Sequence, residues 1–284
     1  MDSANMVIRS ATEENRSEET VPSSIDRFLT VMTYNIHHGR GRDGRVDLKR
    51  ICTVIQEGKP DLVALQEVDL GMTRSERLDQ GRELADLLEM HHVAGHNWYL
   101  GEGAYGNVFL SRWPVTIVGN LDLSVPGREP RGCLLTEVHH GASLLLVASL
   151  HLGLGMAERK RQSLTILDQL KMLYTDEPIL IMGDFNTFSF SSIARRFRAS
   201  YTDVFEEAGV GPRSTFRKIG IPLRLDYIYA SDHLLPVKAH VLRTQTASAA
   251  SDHFPLIAQF LWKDRDERRE DHQTGAELLS HRPS

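Results

Sequence analysis

Short apolar runs that each end in a polar side chain recur along this chain, and they restrict it to folds built on buried β-strands. FLTVMTYN ends at Asn35, LVALQE at Glu67 and LLLVASLH at His151, while Asp184 directly follows ILIMG. Runs of this length that are rich in Val, Ile and Leu are typical of strands buried in a sheet. Since the ends of strands in a rigid sheet can present side chains to one crevice, we expect these polar groups to converge.

Helical patterns alternate with these strands. Asp47 is placed to cap a helix that begins at Leu48, a second amphipathic pattern surrounds Leu84, and a longer one covers about 156 to 174. The other predicted strands are HNWYLG, NVFLSR, VTIVGNLDL, GCLLTEVHH, LRLDYIYA, VKAHVLRT and FPLIAQFLW. Because most connections are too short for the crossover that joins parallel strands, the pattern predicts an α/β (α+β) sandwich of two mixed, mainly antiparallel sheets with the helices outside.

Composition divides the 284 residues into one domain and two tails. Residues 1–27 and 263–284 are polar and charged, so neither segment can bury enough apolar surface to fold alone, and both are predicted to be disordered. Between them no repeat and no Gly/Ser linker separates one part from another, so residues 28–262 are predicted to form a single domain.

Charge and cysteine content argue against several classes of protein. A formal net charge of −5 disfavours a generally basic nucleic-acid-binding protein, although a basic groove fits within an acidic average. Cys52 and Cys133 lie in apolar stretches, which indicates buried thiols rather than a disulfide or a cysteine zinc site. The sequence has no signal-peptide pattern and no apolar run long enough for a membrane span. We therefore expect a cytoplasmic protein without stable membrane insertion and without an obligate protein partner.

Each polar strand end has an ordinary structural explanation when it is taken alone. A carboxylate beside an apolar strand is more often a solvated terminus than a metal ligand, and Gly, Asp and Asn together usually form a turn. On that basis Glu67 would be a solvated strand end, Asp184 and Asn186 a turn, His151 an interior histidine, Asp226 a partner of Arg224 or Lys218, and Asp252 with His253 a strand cap.

Taken together, these residues supply what the hydrolysis of a phosphoester requires. A hard divalent cation prefers oxygen ligands, which a Glu and an Asp provide, so the set suits Mg²⁺. An attacking water needs a base, and an imidazole that is backed by a carboxylate can serve as one. Negative charge on the phosphoryl oxygens needs donors such as Asn and His. The sequence contains all three parts.

The motifs resemble those of the endonuclease/exonuclease/phosphatase superfamily, which includes DNase I, abasic-site endonucleases, inositol polyphosphate 5-phosphatases and neutral sphingomyelinases. The similarity covers nearly the whole predicted domain and follows the order of the family: TYNIHHG, LQEVD, GNVFLSRWP, PRGCL, SLHLG, GDFN, LDYIY and SDHFPL. The resemblance implies a four-layered α/β/β/α sandwich, DNase I-like, with the active site at one edge of the paired sheets. It also implies a Mg²⁺-dependent phosphoesterase, in which Mn²⁺ could substitute.

The resemblance implies a role for each matching residue. Glu67 would be the principal metal ligand, Asn35 beside it would bond the metal site or the phosphate, and Asp252 would assist the metal or the leaving group. Water would be activated by Asp184 or His253, and which of them takes the proton stays open. The remaining catalytic residues would be Asn186 and His151, which donate to the phosphate, and Asp226, which orients His253.

Four further residues are candidates for contact with the substrate. Arg74, Asn107 and Arg131 belong to TRS, YGN and PRG, which recur in such relatives, and an Arg fork matches phosphate geometry. His37 stands where abasic-site endonucleases tend to carry Asp, and IPLRLDY lacks the Trp that those enzymes commonly have before LDY. A role in DNA repair is therefore disfavoured, and a small molecule, a lipid headgroup or a nucleic acid all stay open as the phosphoester substrate, with a small soluble one favoured.

Three alternatives remain at this point. The first is an endonuclease that acts on DNA or RNA. The second is a catalytically silent binding or regulatory module on the same fold, although none of the core residues is missing. The third is a zinc hydrolase that uses some of the 13 histidines. The doublets His37-His38, His91-His92 and His139-His140 make poor ligand sets if they lie on strands, because neighbouring side chains then point to opposite faces.

Overall fold

A computed structural model describes residues 28–140, 143–174, 176–218 and 221–262, and the predicted tails lie outside these residues. The strands are β1 (Phe28–Asn35), β2 (Leu62–Leu70), β3 (His91–Leu100), β4 (Gly103–Ser111), β5 (Val115–Asp122), β6 (Gly132–His140), β7 (Ser143–His151), β8 (Ile179–Asp184), β9 (Thr202–Asp203), β10 (Phe216–Lys218), β11 (Ile221–Leu223), β12 (Asp226–Ala230), β13 (Leu234–Val241) and β14 (Leu256–Trp262). The helices are α1 (Leu48–Gly58), α2 (Gln80–Leu88), α3 (Met156–Leu173), α4 (Ser192–Arg198), α5 (Val204–Ala208) and α6 (Gln245–Ala250), with short 3-10 turns at His37–Gly39 and Thr73–Ser75.

The strands form two mixed sheets and a small hairpin. The first sheet has the order β13-β14-β1-β2-β4-β3, the second β5-β6-β7-β8-β12-β9, and β10 pairs with β11. Within the ladders of the described residues, β1–β2 and β7–β8 are parallel and the other pairs are antiparallel. These two parallel pairs are the ones whose connections contain α1 and α3, as a parallel crossover requires.

Helices cover the outer faces of both sheets and complete four layers. Buried residues of α1, α2 and α6 share one apolar core with the first sheet and with the inner face of the second sheet. A separate core packs Ile166 and Leu170 of α3 and Phe197 of α4 against the outer face of the second sheet. The predicted sandwich of two mixed sheets with outer helices is therefore confirmed.

The two parallel pairs bring the residues of interest to one edge of the sandwich. In β1 and β2, Asn35 pairs with Gln66, directly before Glu67. In β7 and β8, His151 pairs with Asp184. Because the carboxyl ends of parallel strands lie at the same edge of a sheet, each pair delivers two polar side chains to that edge. Because the sequence predicts the active site at this edge, we refer to it below as the catalytic edge.

Some local predictions were wrong in detail. The run LRLDYIYA is not one strand, because β11 ends at Leu223 and β12 begins at Asp226. The short helices α4, α5 and α6 were not predicted, since segments of this length show less than two turns of apolar periodicity. No helix in the described ranges is both long and apolar enough to cross a membrane.

Candidate active site

Glu67 lies at a β-bulge in β2 and is not a freely solvated strand end. The register between β2 and β4 shifts between Leu65 and Val68, and Glu67 adopts a φ of 60°, in the left-handed region that non-glycine residues rarely occupy. Asn35 Nδ2 donates to Glu67 Oε1 at 2.9 Å. Backbone strain of this kind persists only where the surrounding structure holds it. The bulge, held by the Asn35 contact, directs the Glu67 carboxylate into the catalytic edge.

Asp184 occupies the centre of the site, and its two carboxylate oxygens have different partners. Oδ1 accepts from the backbone N–H of Asn186 at 2.9 Å. Oδ2 accepts from Asn35 Nδ2 at 3.2 Å, so this contact joins the first sheet to the second. Asn186 has a φ of 48°, and its side-chain amide donates to the carbonyl oxygen of Leu152 at 2.9 Å. The segment after β8 is therefore fixed by two hydrogen bonds of Asn186, one to Asp184 and one to Leu152.

The glycine of GDFN is required by close packing between β7 and β8. Gly183 has a φ of 154°, and a Cβ atom placed there would lie 1.9 Å from the carbonyl oxygen of Leu150. No side chain larger than hydrogen fits at that distance. Gly183 therefore allows Asp184 to emerge at the required position next to His151.

His253 and Asp226 form a buried pair. His253 Nδ1 donates to Asp226 Oδ2 at 2.8 Å, and the hydroxyl of Ser251 accepts from the His253 backbone N–H at 3.2 Å. The hydroxyl of Thr215 accepts from the backbone N–H of Asp226 at 3.1 Å. These contacts fix both partners at the catalytic edge, in the arrangement that an oriented imidazole needs.

The alternative pairing of Asp226 with Arg224 is wrong. Arg224 instead binds the carboxylates of Asp203 and Glu206 and lies over the ring of Tyr227. The side chain of Lys218, the other alternative partner, lies outside the described residues.

Two imidazoles face the same oxygen of Asp184. His151 Nε2 lies 3.5 Å and His253 Nε2 lies 3.6 Å from Asp184 Oδ2. Both histidine side chains and the carboxylate are almost completely buried. This position, bordered by donors on several sides, is one where a small oxyanion would find hydrogen bonds.

Burial and neighbouring charges separate the proton affinities of these three groups. Burial, followed by the nearby Asp226 carboxylate, raises the pKa of Asp184 to about 7. Burial opposes a charged imidazole at His253, but Asp226 and Asp184 outweigh it and raise the pKa of His253 to about 10. Burial and the positive charges of Arg131 and His253 hold the pKa of His151 well below its usual range. At neutral pH the site therefore combines a cationic His253 with a neutral His151.

The open side of the site carries Asp252 and His37. Asp252 Oδ1 lies 3.9 Å from His37 Nδ1, and the Asp252 side chain is partly exposed. Ligand atoms of His37, His38 and Glu67 lie within 4.8 Å of one another. Their oxygen and nitrogen atoms form one group at the catalytic edge that could hold a metal ion, and Asp184, Asp226 and His253 form a second.

The doublet His37-His38 does not lie on a strand, so the strand geometry that makes such doublets poor ligand sets does not apply to it. His37 and His38 form a 3-10 turn, with φ values of 48° and 45°, and both side chains line the same cleft. The doublets His91-His92 and His139-His140 do lie within strands, as assumed.

A cleft of about 740 Å³ opens over these residues and contains both predicted arginines. Arg74 forms a two-pronged ion pair with the buried Asp69, at 2.8 and 2.7 Å, and lies over the ring of Tyr105. Arg131 binds Glu129 and is itself almost completely buried. Both guanidinium groups are held in place by carboxylates, so they present fixed donors in a cleft that is also lined by the carboxylates of Glu67, Glu129, Asp184 and Asp252.

Asn107, in contrast, is absent from the residues that line the cleft. It is buried in β4, and its side-chain amide donates to the carbonyl oxygens of Gly132 at 3.1 Å and Ser149 at 3.4 Å. These carbonyls belong to the second sheet. The structure therefore gives Asn107 a contact between the sheets in place of the predicted contact with substrate.

The sequence motifs did not reveal several residues of the cleft. Arg159, in the first turn of α3, donates to the carbonyl oxygens of Gly153 and Leu154 and faces the cleft. The aromatic side chains that line the cleft are those of Trp98, Tyr105, Phe188 and Phe216. The closeness of Arg159 to the SLHLG motif was the one available signal. Trp98, Tyr105 and Phe216 lie in strands and Phe188 in a loop, and the sequence does not specify that these segments meet at one cleft.

Comparison with known proteins agrees with this architecture. An Escherichia coli protein described as uncharacterized protein YbhP is 30% identical over 251 residues, which are 84% of this chain and 99% of that protein. The structure of an endonuclease/exonuclease/phosphatase from Beutenbergia cavernae has a TM-score of 0.70 at 24% identity and covers 83% of this chain and 72% of its own. A mannosyl-6-phosphatase from Bacteroides thetaiotaomicron has a TM-score of 0.66 at 20% identity and covers 82% of this chain and 100% of its own. At these identities the two structures establish the shared fold.

A sequence model of the endonuclease/exonuclease/phosphatase family matches most of the described chain. It covers residues 32–253, which begin in β1 and end at the histidine of the His253–Asp226 pair. The matched range therefore includes each residue placed above at the catalytic edge. The chain belongs to the endonuclease/exonuclease/phosphatase family.

Proposed function

We propose that this protein is a divalent-metal-dependent hydrolase that cleaves phosphoester bonds at the catalytic edge. One observation carries the proposal: a single carboxylate oxygen, Oδ2 of Asp184, is faced by donors from Asn35, His151 and His253 within 3.6 Å. Donors that converge from both sheets suit a group with several partly negative oxygens, as a phosphoryl group has. The chemistry of the family supports the same reaction class.

The residues on the open side suit the metal that this chemistry needs. Glu67 and Asp252 offer carboxylate oxygens, and Asn35 adds an amide oxygen, which is the ligand type that Mg²⁺ and Mn²⁺ prefer. Asn35 donates to Glu67, so its oxygen and the Glu67 carboxylate are fixed relative to each other. When bound there, the ion would supply positive charge to the phosphoryl oxygens. We propose Mg²⁺ as the physiological ion, with Mn²⁺ as a substitute.

The side chains have separate tasks in the proposed reaction. Asp184, with a pKa of about 7, accepts the proton of the attacking water, because a base is most effective when its pKa lies near the working pH. His253, held in its cationic form by Asp226, donates to a phosphoryl oxygen and stabilises the charge that develops there. His151 and Asn186 provide neutral donors. The water oxygen bonds to phosphorus as the bond between phosphorus and the leaving oxygen breaks, and the leaving oxygen takes up a proton from the solvent.

The substrate is a phosphomonoester or a phosphodiester. The similarity to a mannosyl-6-phosphatase supports inclusion of sugar phosphates among the compounds to be tested. An endonuclease is the second candidate, and the aromatic side chains beside fixed arginines in the cleft favour it, since bases stack on such surfaces. A panel of sugar phosphates, glycerophosphodiesters, plasmid DNA and single-stranded RNA separates the two.

Turnover of p-nitrophenyl phosphate and its bis-ester tests the reaction class. We expect release of nitrophenol to require added Mg²⁺ or Mn²⁺ and to fall by at least about 100-fold in Glu67→Ala and in His253→Ala. His91→Ala, at an exposed position of β3, is the matched control and should retain activity. Wild-type turnover in both site variants would refute the mechanism. Calorimetric titration without any Mg²⁺ or Mn²⁺ binding would favour a catalytically silent module.

A further inference from the structure

Large apolar side chains surround the mouth of the cleft and are exposed to solvent. They lie on three segments: the end of β3 before the β3–β4 turn, the loop between β7 and α3 with the first residue of α3, and the loop between β8 and α4. Exposed residues of this size are usually scattered singly, so a group around one opening indicates an interaction surface. We call these residues the apolar rim: Tyr99, Leu100, Leu154, Met156, Phe188 and Phe190.

The strand registers place all three segments at the catalytic edge. The loops after β7 and β8 follow the carboxyl ends that present His151 and Asp184. In the first sheet, Leu70 at the end of β2 pairs with Ala104 at the start of β4, so the β3–β4 turn projects from the same edge. Leu154 and Phe188 also line the cleft itself. The apolar rim is therefore continuous with the site of chemistry.

Basic residues accompany the apolar rim on the side of the second sheet. Segments 151–165 and 184–203 together contain six Lys and Arg side chains and three carboxylates, a formal charge of +3 in a chain whose total is −5. The carboxylates, those of Glu158, Asp184 and Asp203, are buried, and Asp203 pairs with Arg198. Lys160 follows Met156 by one helical turn, so the two side chains share a face of α3. The segments are joined where Arg196 donates to the hydroxyl of Ser163.

We infer that the apolar rim and its basic flank form a docking surface for an anionic phospholipid bilayer, which presents headgroup phosphoesters to the cleft. Apolar side chains that enter the interface beside Lys and Arg are the combination that binds peripheral proteins to such membranes. The substrate class that follows, a phosphoester at a bilayer surface, rests on the proposed function.

A bilayer fits this surface better than the other occupants do. A second copy of the chain or a partner protein seated on the apolar rim would cover the opening of the cleft, whereas a bilayer brings phosphoesters to that opening. Phe188 and Phe190 stack on each other at 5.4 Å and would also suit a nucleobase. Leu154 and Met156 are aliphatic and exposed, however, and such side chains gain more from hydrocarbon than from stacking.

Vesicle co-sedimentation of the full chain tests the inference, and α3 supplies a matched control. Met156 and Phe190 lie outside the lining of the cleft and are 71% and 79% exposed. Met172 is 77% exposed at the other end of α3, about 24 Å away along the axis. Phe28, at the start of β1, is 56% exposed and lies at the opposite edge of its sheet. The rim variant is M156S with F190S, and the control variant is M172S with F28S.

We expect wild type to sediment with vesicles of phosphatidylcholine and phosphatidylglycerol more than with phosphatidylcholine alone. The rim variant should bind the anionic vesicles about tenfold more weakly, whereas the control variant should bind like wild type. Equal binding by the rim variant and wild type would overturn the inference. So would an absence of vesicle binding accompanied by rim-dependent dimerisation in analytical ultracentrifugation, or by rim-dependent binding of a single-stranded oligonucleotide.

The docking surface and the proposed function can fail separately. Vesicle binding is measured without turnover, so Glu67→Ala should bind vesicles like wild type. The rim variant should hydrolyse a soluble nitrophenyl phosphoester at the wild-type rate, because neither substituted residue lines the cleft. Loss of vesicle binding in the rim variant with soluble turnover intact supports the inference, and an inactive chain that still docks through the apolar rim would refute only the proposed function.

Discussion

Replacement of Asp226 by Asn tests the charge arrangement on which the proposed chemistry depends. The Asp226 carboxylate lies 2.8 Å from His253 Nδ1 inside the protein, where solvent does not screen the interaction. A rise of the His253 pKa from 6.5 to about 10 corresponds to roughly 5 kcal/mol in favour of the cationic form, despite the cost of burial. The Asp184 carboxylate also contributes to the raised pKa of His253. Loss of the Asp226 charge alone should therefore lower that pKa by at least about 2, which corresponds to roughly 3 kcal/mol.

The sign of the stability change follows from the same pKa. Because the folded-state pKa of His253 is raised, its cationic form stabilises the fold fully below the unfolded value of 6.5, and this contribution is lost as the pH rises through about 10. Asp226→Asn should therefore destabilise the protein most below pH 6.5, and the difference from wild type should shrink toward pH 10. Turnover near neutral pH should fall by about 10² to 10⁴.

NMR titration of the His253 ring, together with turnover of a nitrophenyl phosphodiester, measures both effects. Asp203→Asn is the control, since Asp203 is also a buried carboxylate but binds Arg224 and not a catalytic residue. The control should lose stability and leave the pKa of His253 unchanged. An Asp226→Asn variant whose His253 titrates at the wild-type pKa would contradict the electrostatic argument, whatever its activity.

Three further predictions concern packing and the cleft. Gly183→Ala should destabilise the fold by more than about 3 kcal/mol in thermal unfolding, because its Cβ would lie 1.9 Å from a β7 carbonyl oxygen, whereas Gly119→Ala, with open space around the added atom, should be neutral. Asn107→Ala should cost about 1 to 2 kcal/mol of stability and leave KM unchanged, since its amide bonds join the two sheets; a raised KM without loss of stability would restore its assignment to the substrate. Arg159→Met should raise KM for a soluble phosphoester about tenfold, and Arg161→Met, which lies outside the cleft lining, should not; equal values for both would exclude Arg159 from the substrate site.

The polar residues at strand ends could be predicted from the sequence because their spacing relative to apolar runs is a local property. Asn35, Glu67, His151 and Asp184 each follow a continuous strand signal, and a parallel pair must bring its carboxyl ends to one edge. The pairing of Asp226 with His253 was implied by family resemblance alone. No local pattern distinguishes it from the pairing with Arg224, because the choice depends on which loop packs above β12.

The backbone conformation after β1 could not be predicted from the sequence, for a different reason. The strand argument was applied to His37 and His38, but both residues turn in left-handed conformations, which few non-glycine residues adopt and which local sequence does not require. One local and one tertiary contact hold these conformations: the His37 backbone N–H donates to the side-chain oxygen of Asn35, and the side chain of Gln80, 42 residues away in sequence, donates to the His38 carbonyl oxygen. Side chains that appeared to diverge therefore face one cleft.

The sequence by itself determined the family, the two-sheet sandwich and the identity of the polar residues at the catalytic edge, because apolar periodicity and motif order are encoded along the chain. Only the tertiary structure decided that Asn107 bonds across the two sheets, that Arg159 lines the cleft, and that the exposed side chains of Leu154 and Phe188 meet at it. Contacts between segments distant in sequence have no signature in either segment alone, since each forms only when the sheets pack and bring the loops together.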